Sequence, residues 1–238
     1  MAALEADLAL RVLSVVIPAY NEERFIATLL AKIQALDLSP LGFALEIIVV
    51  DDCSRDRTAD IVAAVPGVRL IRMPQNGGKG KAVRAGIAAA TGELLIIQDA
   101  DLEYDPRDYV PMLQALLDGA DIVYGSRYLG RGRHDNQSLT AYLGGRSLSV
   151  IAWAFTGRFL TDTVTALKLF RREDIAALPL ETSGFELDHE ITSRMVARGK
   201  RIVEVPIRYY PRSREEGKKI GPRDWFVGIR TFWRYRKG

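Results

Sequence analysis

The chain has 238 residues, 48% apolar and 26% charged, with a formal net charge of +3. Those are the proportions of an ordinary globular fold, not of a disordered or fibrous chain, and the charge alone makes no case for nucleic acid. The single cysteine, Cys53, excludes an internal disulfide. No apolar run approaches the ~20 residues that cross a bilayer. Met1–Arg11 carries Glu5 and Asp7 without a basic flank, unlike a signal peptide.

In chain order, Val12–Ile17 is a buried-strand run that Pro18 is expected to end. Asn21 is a candidate cap for a helix carrying Phe25, Leu29, Ile33 and Leu36 at helical spacing. Leu45–Val50 reads as a second strand ending in Asp51-Asp52-Cys53-Ser54. Ser54 or Asp56 can cap a helix that runs to Val65, and Val68–Arg72 is a third strand. Asn76–Lys81 is a glycine-rich basic loop entering a helix with Val83 and Ile87 inward. The loop suits phosphate, although it matches neither the P-loop nor the dinucleotide pattern; a plain solvated turn is the other reading.

Leu94–Gln98, a strand buried on both faces, runs into Asp99-Ala100-Asp101-Leu102-Glu103. If extension persisted, alternation would turn Asp99, Asp101 and Glu103 the same way. Carboxylates gathered there repel unless a cation neutralises them, which suits Mg2+ or Mn2+ shared with substrate phosphates. An acidic turn ahead of a helix from Pro106 is the alternative.

That helix carries Tyr109, Met112, Leu113 and Leu116, and a strand follows at Ile122–Tyr124. Tyr128–Gly145 reads as a mobile polar loop and Leu148–Phe159 as an apolar helix. A strand at Leu167–Phe170, a helix at Phe185–Val196 and a strand at Ile202–Tyr209 come next, the last placed near an edge by Pro206. Alternating strands and helices predict one α/β domain with a mostly parallel sheet covered on both faces. Ligands in such sheets bind beyond the carboxyl ends of the strands. Pro18–Glu22, Asp51-Asp52 and Asp99–Glu103 all fall at such ends.

Cys53 reads as a structural turn residue, and His134 and His189 have no metal-ligand spacing. Asp188 and Glu190, in an acidic helix start, are candidate base or substrate ligands, or simply a solvated helix start. From Arg194 onward the chain is basic. On a helix over 222–236, Trp225, Ile229, Phe232 and Trp233 share one face and arginines the other, the pattern of a membrane-surface helix. A tail packed on the domain has the same pattern, and no motif supports a nucleic-acid surface.

Six segments in order, VVIPAYNE (15–22), EIIVVDDCS (46–54), NGGKGKAVRAG (76–86), DADLE (99–103), GSRY (125–128) and EVPIRYYPR (204–212), resemble glycosyltransferase family 2, and within it the dolichyl- or polyprenyl-phosphate glycosyltransferases. The resemblance runs from about Val12 to Tyr235. It implies a GT-A fold (Rossmann-like), a nucleotide-sugar donor and a divalent metal, Mg2+ or Mn2+. By position, Pro18, Tyr20, Glu22, Val50 and Asp52 would line the nucleoside pocket, with Lys79 and Ala100 beside the donor. Asp99, Asp101 and Glu103 would hold metal and diphosphate, with Asp101, Arg127 and Asp188 as catalytic candidates. Arg127, Arg212 and Lys218 or Lys219 would face the diphosphate and an anionic acceptor. Cys53 stands where relatives carry glycine, and in TDTVTALKLFRR (161–172) Lys168 stands for arginine.

These readings define an extension at 1–11, a GT-A domain at 12–212 and a basic amphipathic membrane-surface segment at 213–238. The expected activity is metal-dependent, inverting transfer of a hexose from a nucleotide diphosphate sugar, UDP favoured over GDP-mannose, to a lipid acceptor, a polyprenyl phosphate foremost. The expected location is cytoplasmic and peripheral on the membrane. A hydroxyl acceptor would need a base, for which Asp188 is the candidate. A catalytically silent nucleotide-binding scaffold is the reading from a different class.

Overall fold

The computed structural model describes residues 10–130, 132–212 and 222–238. Its described strands are β1 (Arg11–Ala19), β2 (Phe43–Asp51), β3 (Val68–Arg72), β4 (Leu94–Ile97), β5 (Ile122–Ser126), β6 (Lys168–Arg171) and β7 (Ile202–Pro206). They form one sheet in the order β3-β2-β1-β4-β6-β5-β7. All neighbours pair in parallel except β6, which runs antiparallel between β4 and β5. Val15, Val16 and Ile17 on β1 and Leu95, Ile96 and Ile97 on β4 are almost fully buried, as expected of strands covered on both faces. β1 does not stop at Pro18 but pairs through Ala19. Pro206 does lie on an edge strand, β7.

The helices are α1 (Ile26–Gln34), α2 (Thr58–Ala63), α3 (Lys79–Ala89), α4 (Tyr109–Leu117), α5 (Leu139–Thr156), α6 (Arg172–Ala176), α7 (Leu187–Ala197) and α8 (Pro222–Tyr235). One core joins Leu13, Val15 and Ile17 to Leu29 and Ile33 of α1 and Met112 and Leu113 of α4. The opposite core joins Val16, Leu95 and Ile97 to Val83 and Ile87 of α3 and Ile191 and Met195 of α7. A third, small cluster seats Phe232 of α8 on Leu148 and Ala152 of α5.

Three local expectations are corrected. Asn21 does not cap α1: its backbone is left-handed (φ 55°), and its Oδ1 accepts the Arg55 N–H at 2.8 Å, joining the exits of β1 and β2. The polar loop ends at Ser138, whose hydroxyl accepts the Ala141 N–H and caps an α5 of 18 residues. Extension does not persist after β4. Leu102, at φ 61°, turns the chain between Asp101 and Glu103, a conformation costing a leucine roughly 1–2 kcal/mol. Cys53 is left-handed too (φ 60°), a conformation that favours glycine.

The chain moves outward from β1 through β2 to β3, then returns to lay β4 on the other side of β1. This reversal leaves a crevice beyond the carboxyl ends of β1 and β4, the place where open α/β sheets bind ligands.

Candidate active site

A cavity of about 970 Å³ occupies that crevice. Pro18, Tyr20 and Glu22 enter from the end of β1 and Asp52 from the end of β2. Asp99, Ala100, Asp101 and Glu103 follow β4, and Lys79, Arg127, Asp188 and Arg212 complete the polar wall. Val50 does not line the cavity: it is fully buried beneath α3, where it meets Gly86. Lys218 and Lys219 lie outside the described residues.

Asp52 organises the glycine-rich loop. Its two oxygens accept the N–H groups of Gly77 and Gly78 at 2.7 and 2.8 Å, while the Gly80 N–H donates to the Ser183 carbonyl at 2.7 Å. These backbone donors are therefore engaged within the protein, and the loop offers the cavity its lysine. A Cβ at Gly80 would run into the Thr182–Ser183 backbone, so the close approach requires glycine there.

The acidic floor is threaded by cations. Lys79 Nζ lies 2.8 Å from Asp99 Oδ1 and 3.2 Å from Asp188 Oδ2. Arg212 lies 2.7 Å from Asp101 Oδ2 and 3.2 Å from Glu22 Oε2, and its backbone N–H donates to Glu103 at 2.8 Å. Glu103 also accepts the Tyr209 hydroxyl. Burial pushes Asp99 and Asp101 above the ordinary carboxylate range; the Glu103 charge adds to this for Asp101, against the pull of Arg212.

Among the described residues no three acidic, histidine or cysteine side chains converge as a preformed metal cage. The donor set fits a hard divalent ion of another kind, held by one or two carboxylates and completed by substrate phosphates. Asp99 and Asp101 line the cavity and would be the carboxylates to hold such an ion, in place of their pairings with Lys79 and Arg212. Glu103 lines it too and accepts the Tyr209 hydroxyl and the Arg212 backbone N–H.

Arg127 lines the wall, but its Nε and Nη2 donate to Asp162 at 2.6 and 2.8 Å. It is flanked by the rings of Tyr128 and Tyr209. Asp162, fully buried, escaped the sequence reading; a buried acid carries no local signature until its arginine is placed opposite it. Asp188 is likewise engaged on both oxygens, by Lys79 and by Lys168 Nζ at 2.8 Å. Burial raises its carboxyl, but the two ammonium groups outweigh that and hold it below the ordinary range. A carboxylate so held is a weak proton acceptor. His189 stacks on Phe232 at 4.8 Å, and burial pushes it down to about 4, so it is neutral at pH 7.

The mouth is apolar. Leu143 of α5 and Phe226 and Val227 of α8 line the cavity yet remain 54%, 67% and 40% exposed. Trp225 and Phe232, expected on an outer face, turn inward: Trp225 Nε1 donates to Ser147 at 2.9 Å, and Phe232 is fully buried. Trp233 is exposed, and so are several apolar residues of α5, including Leu139, Val150 and Trp153. Among the described residues no helix is long and apolar enough to cross a membrane.

Comparison with known proteins gives the family and the fold. The chain is 31% identical over 231 residues to the dolichol-phosphate mannosyltransferase of Pyrococcus furiosus, an alignment spanning 94% of this chain and 63% of that protein. It is 31% identical over 229 residues to the undecaprenyl-phosphate mannosyltransferase of Micrococcus luteus, covering 89% and 88%. Among solved structures, glucosyl-3-phosphoglycerate synthase from Mycobacterium tuberculosis, in complex with Mn2+, UDP and glucosyl-3-phosphoglycerate, is similar with a TM-score of 0.65. The identity is 25%, over 87% of this chain and 74% of that one. The sequence profile of glycosyl transferase family 2 matches residues 14–178. The chain belongs to glycosyl transferase family 2 and is a GT-A-fold glycosyltransferase.

Proposed function

We propose that the protein transfers a hexose, with inversion, from a nucleoside diphosphate sugar to the phosphate of a polyprenyl lipid at a membrane surface. The observation that carries this reading is a single cavity with acidic strand ends on its floor and an exposed apolar rim at its mouth. In the reaction an oxygen of the acceptor phosphate attacks the anomeric carbon. The bond from that carbon to the donor phosphate oxygen breaks, and the nucleoside diphosphate leaves with the electron pair. A phosphate acceptor is already ionised at neutral pH, so the step needs cations for positioning more than a base. The engagement of Asp188 by two lysines favours this acceptor over a hydroxyl, which would have to give up a proton.

Asp99 and Asp101 would hold Mg2+ or Mn2+ together with the donor diphosphate. The ion supplies positive charge against the charge that builds on the leaving group. Lys79 and Arg212, already paired with those carboxylates, are placed to follow the same charge. UDP is favoured as the nucleotide by the NGGKGKAVR loop and by the UDP-bound relative.

Thermal shift with UDP and GDP, each with and without Mn2+, tests the donor half. Ligand at a hundred times its Kd adds about 2.7 kcal/mol, or roughly 5–10 °C for a chain of this size. Asp101→Asn is expected to lose the Mn2+-dependent part of that shift. Stabilisation by neither nucleotide would overturn the reading.

A further inference from the structure

Lys168 is a fully buried cation near the cavity that does not line it. It sits on β6, the antiparallel strand inserted between β4 and β5. Its Nζ donates to Asp188 Oδ1 at 2.8 Å and to the Thr165 carbonyl, 4.9 Å from the Tyr124 ring centre. Asp188 in turn meets Lys79, and Lys79 meets Asp99. Four groups of alternating sign therefore run from the sheet interior to the acidic floor: Lys168, Asp188, Lys79, Asp99.

Among the described residues Lys79 is the one cation that pairs with both the interior acid, Asp188, and Asp99, the carboxylate expected beside the donor. Without Lys168, the buried Asp188 carboxylate would have Lys79 as its only ammonium partner among the described residues. Breaking a buried pair by removing one member leaves an uncompensated charge, which then competes for whatever counter-ion remains. Removing both members leaves no such charge.

We propose that Lys168 is a positioning residue. It neutralises Asp188, and so keeps the Lys79 ammonium available to the diphosphate of the donor. This gives Asp188 a structural partner rather than a proton to carry, and it rests on the reading of the donor as a nucleoside diphosphate sugar.

The test is calorimetric affinity of the full chain for UDP and for GDP with Mn2+. Uridine and guanosine, followed by saturation-transfer NMR, serve as phosphate-free controls. Lys168→Met is expected to weaken the preferred diphosphate about 10-fold or more and leave nucleoside binding unchanged. The double variant Lys168→Met/Asp188→Asn is expected to return to within about 3-fold of wild type. Lys168→Gln keeps a hydrogen bond without the charge; it is expected to behave as Lys168→Met does and replaces it if that variant does not fold. Unchanged diphosphate affinity in the single variant, a loss shared equally by the nucleosides, or a loss the double variant does not recover overturns the proposal. A wild type that binds one diphosphate well while Lys168→Met matches it defeats this inference alone. A wild type that binds neither defeats the donor reading and this inference together.

Discussion

His189 shows how burial at one position becomes a property of the whole chain. Its imidazole lies against Phe232, its Nδ1 has no hydrogen-bond partner among the described residues, and burial depresses it to about 4. In the unfolded chain it titrates near 6.5. Between those values the unfolded state binds the extra proton, so stability is full above about pH 6.5 and is lost as pH falls toward 4. The contribution at stake is on the order of 3 kcal/mol. Thermal unfolding between pH 7.5 and 4.5 is expected to show a steeper acid-side loss in wild type than in His189→Gln; parallel profiles would contradict this. At the same scale, Asp99 and Asp101 were legible as an acidic strand end from their triplet alone. The Lys168–Asp188 contact was not. A lysine inside the apolar run Leu167–Phe170 signals that a counter-charge exists, but only β6 running antiparallel shows which acid supplies it.

The elements divide in the same way. β1 to β4 and α3 follow from apolar runs and helical spacing; β1, β2 and β4 are buried on both faces, while the edge strand β3 is only partly buried. The start of α5 did not follow, since Gly144, Gly145 and the polar residues around them carry loop composition inside a capped helix. In α8 the amphipathic pattern was legible, but its apolar side packs on α5 and α7: Phe232 lies on Leu148 and Ala152 of α5 and on His189 of α7. The exposed apolar surface therefore keeps Trp233 of the expected face and adds Phe226 on α8 and Leu143 and Trp153 on α5, beside exposed Arg223, Arg230 and Arg234, and in the proposed function these residues would meet the membrane. Each basic group near an anionic leaflet contributes about 1 kcal/mol, screened over a Debye length of roughly 8 Å. Flotation with anionic liposomes is expected at low salt and is expected to weaken as salt rises. Phe226→Ser/Trp233→Ser should abolish it without changing nucleotide-dependent stabilisation. Absence of wild-type flotation at every salt concentration would reduce α8 to a packed tail and favour a soluble phosphate acceptor.

Across the whole molecule, the reversal between β1 and β4 gathers residues from distant parts of the chain into one cavity. α5 and α8 set an apolar mouth over the acidic floor, so in the proposed reaction donor charge and acceptor lipid would meet within one cavity. The most direct test is to incubate the purified protein with Mn2+, a UDP- or GDP-hexose and a polyprenyl phosphate, and to weigh the lipid product by mass spectrometry. The expected result is a lipid phosphate heavier by one hexosyl group, with one nucleoside diphosphate released per transfer and no product from Asp101→Asn. Unmodified lipid with every donor, while the same donors glycosylate a hydroxyl acceptor or nothing at all, would contradict transfer to a lipid phosphate.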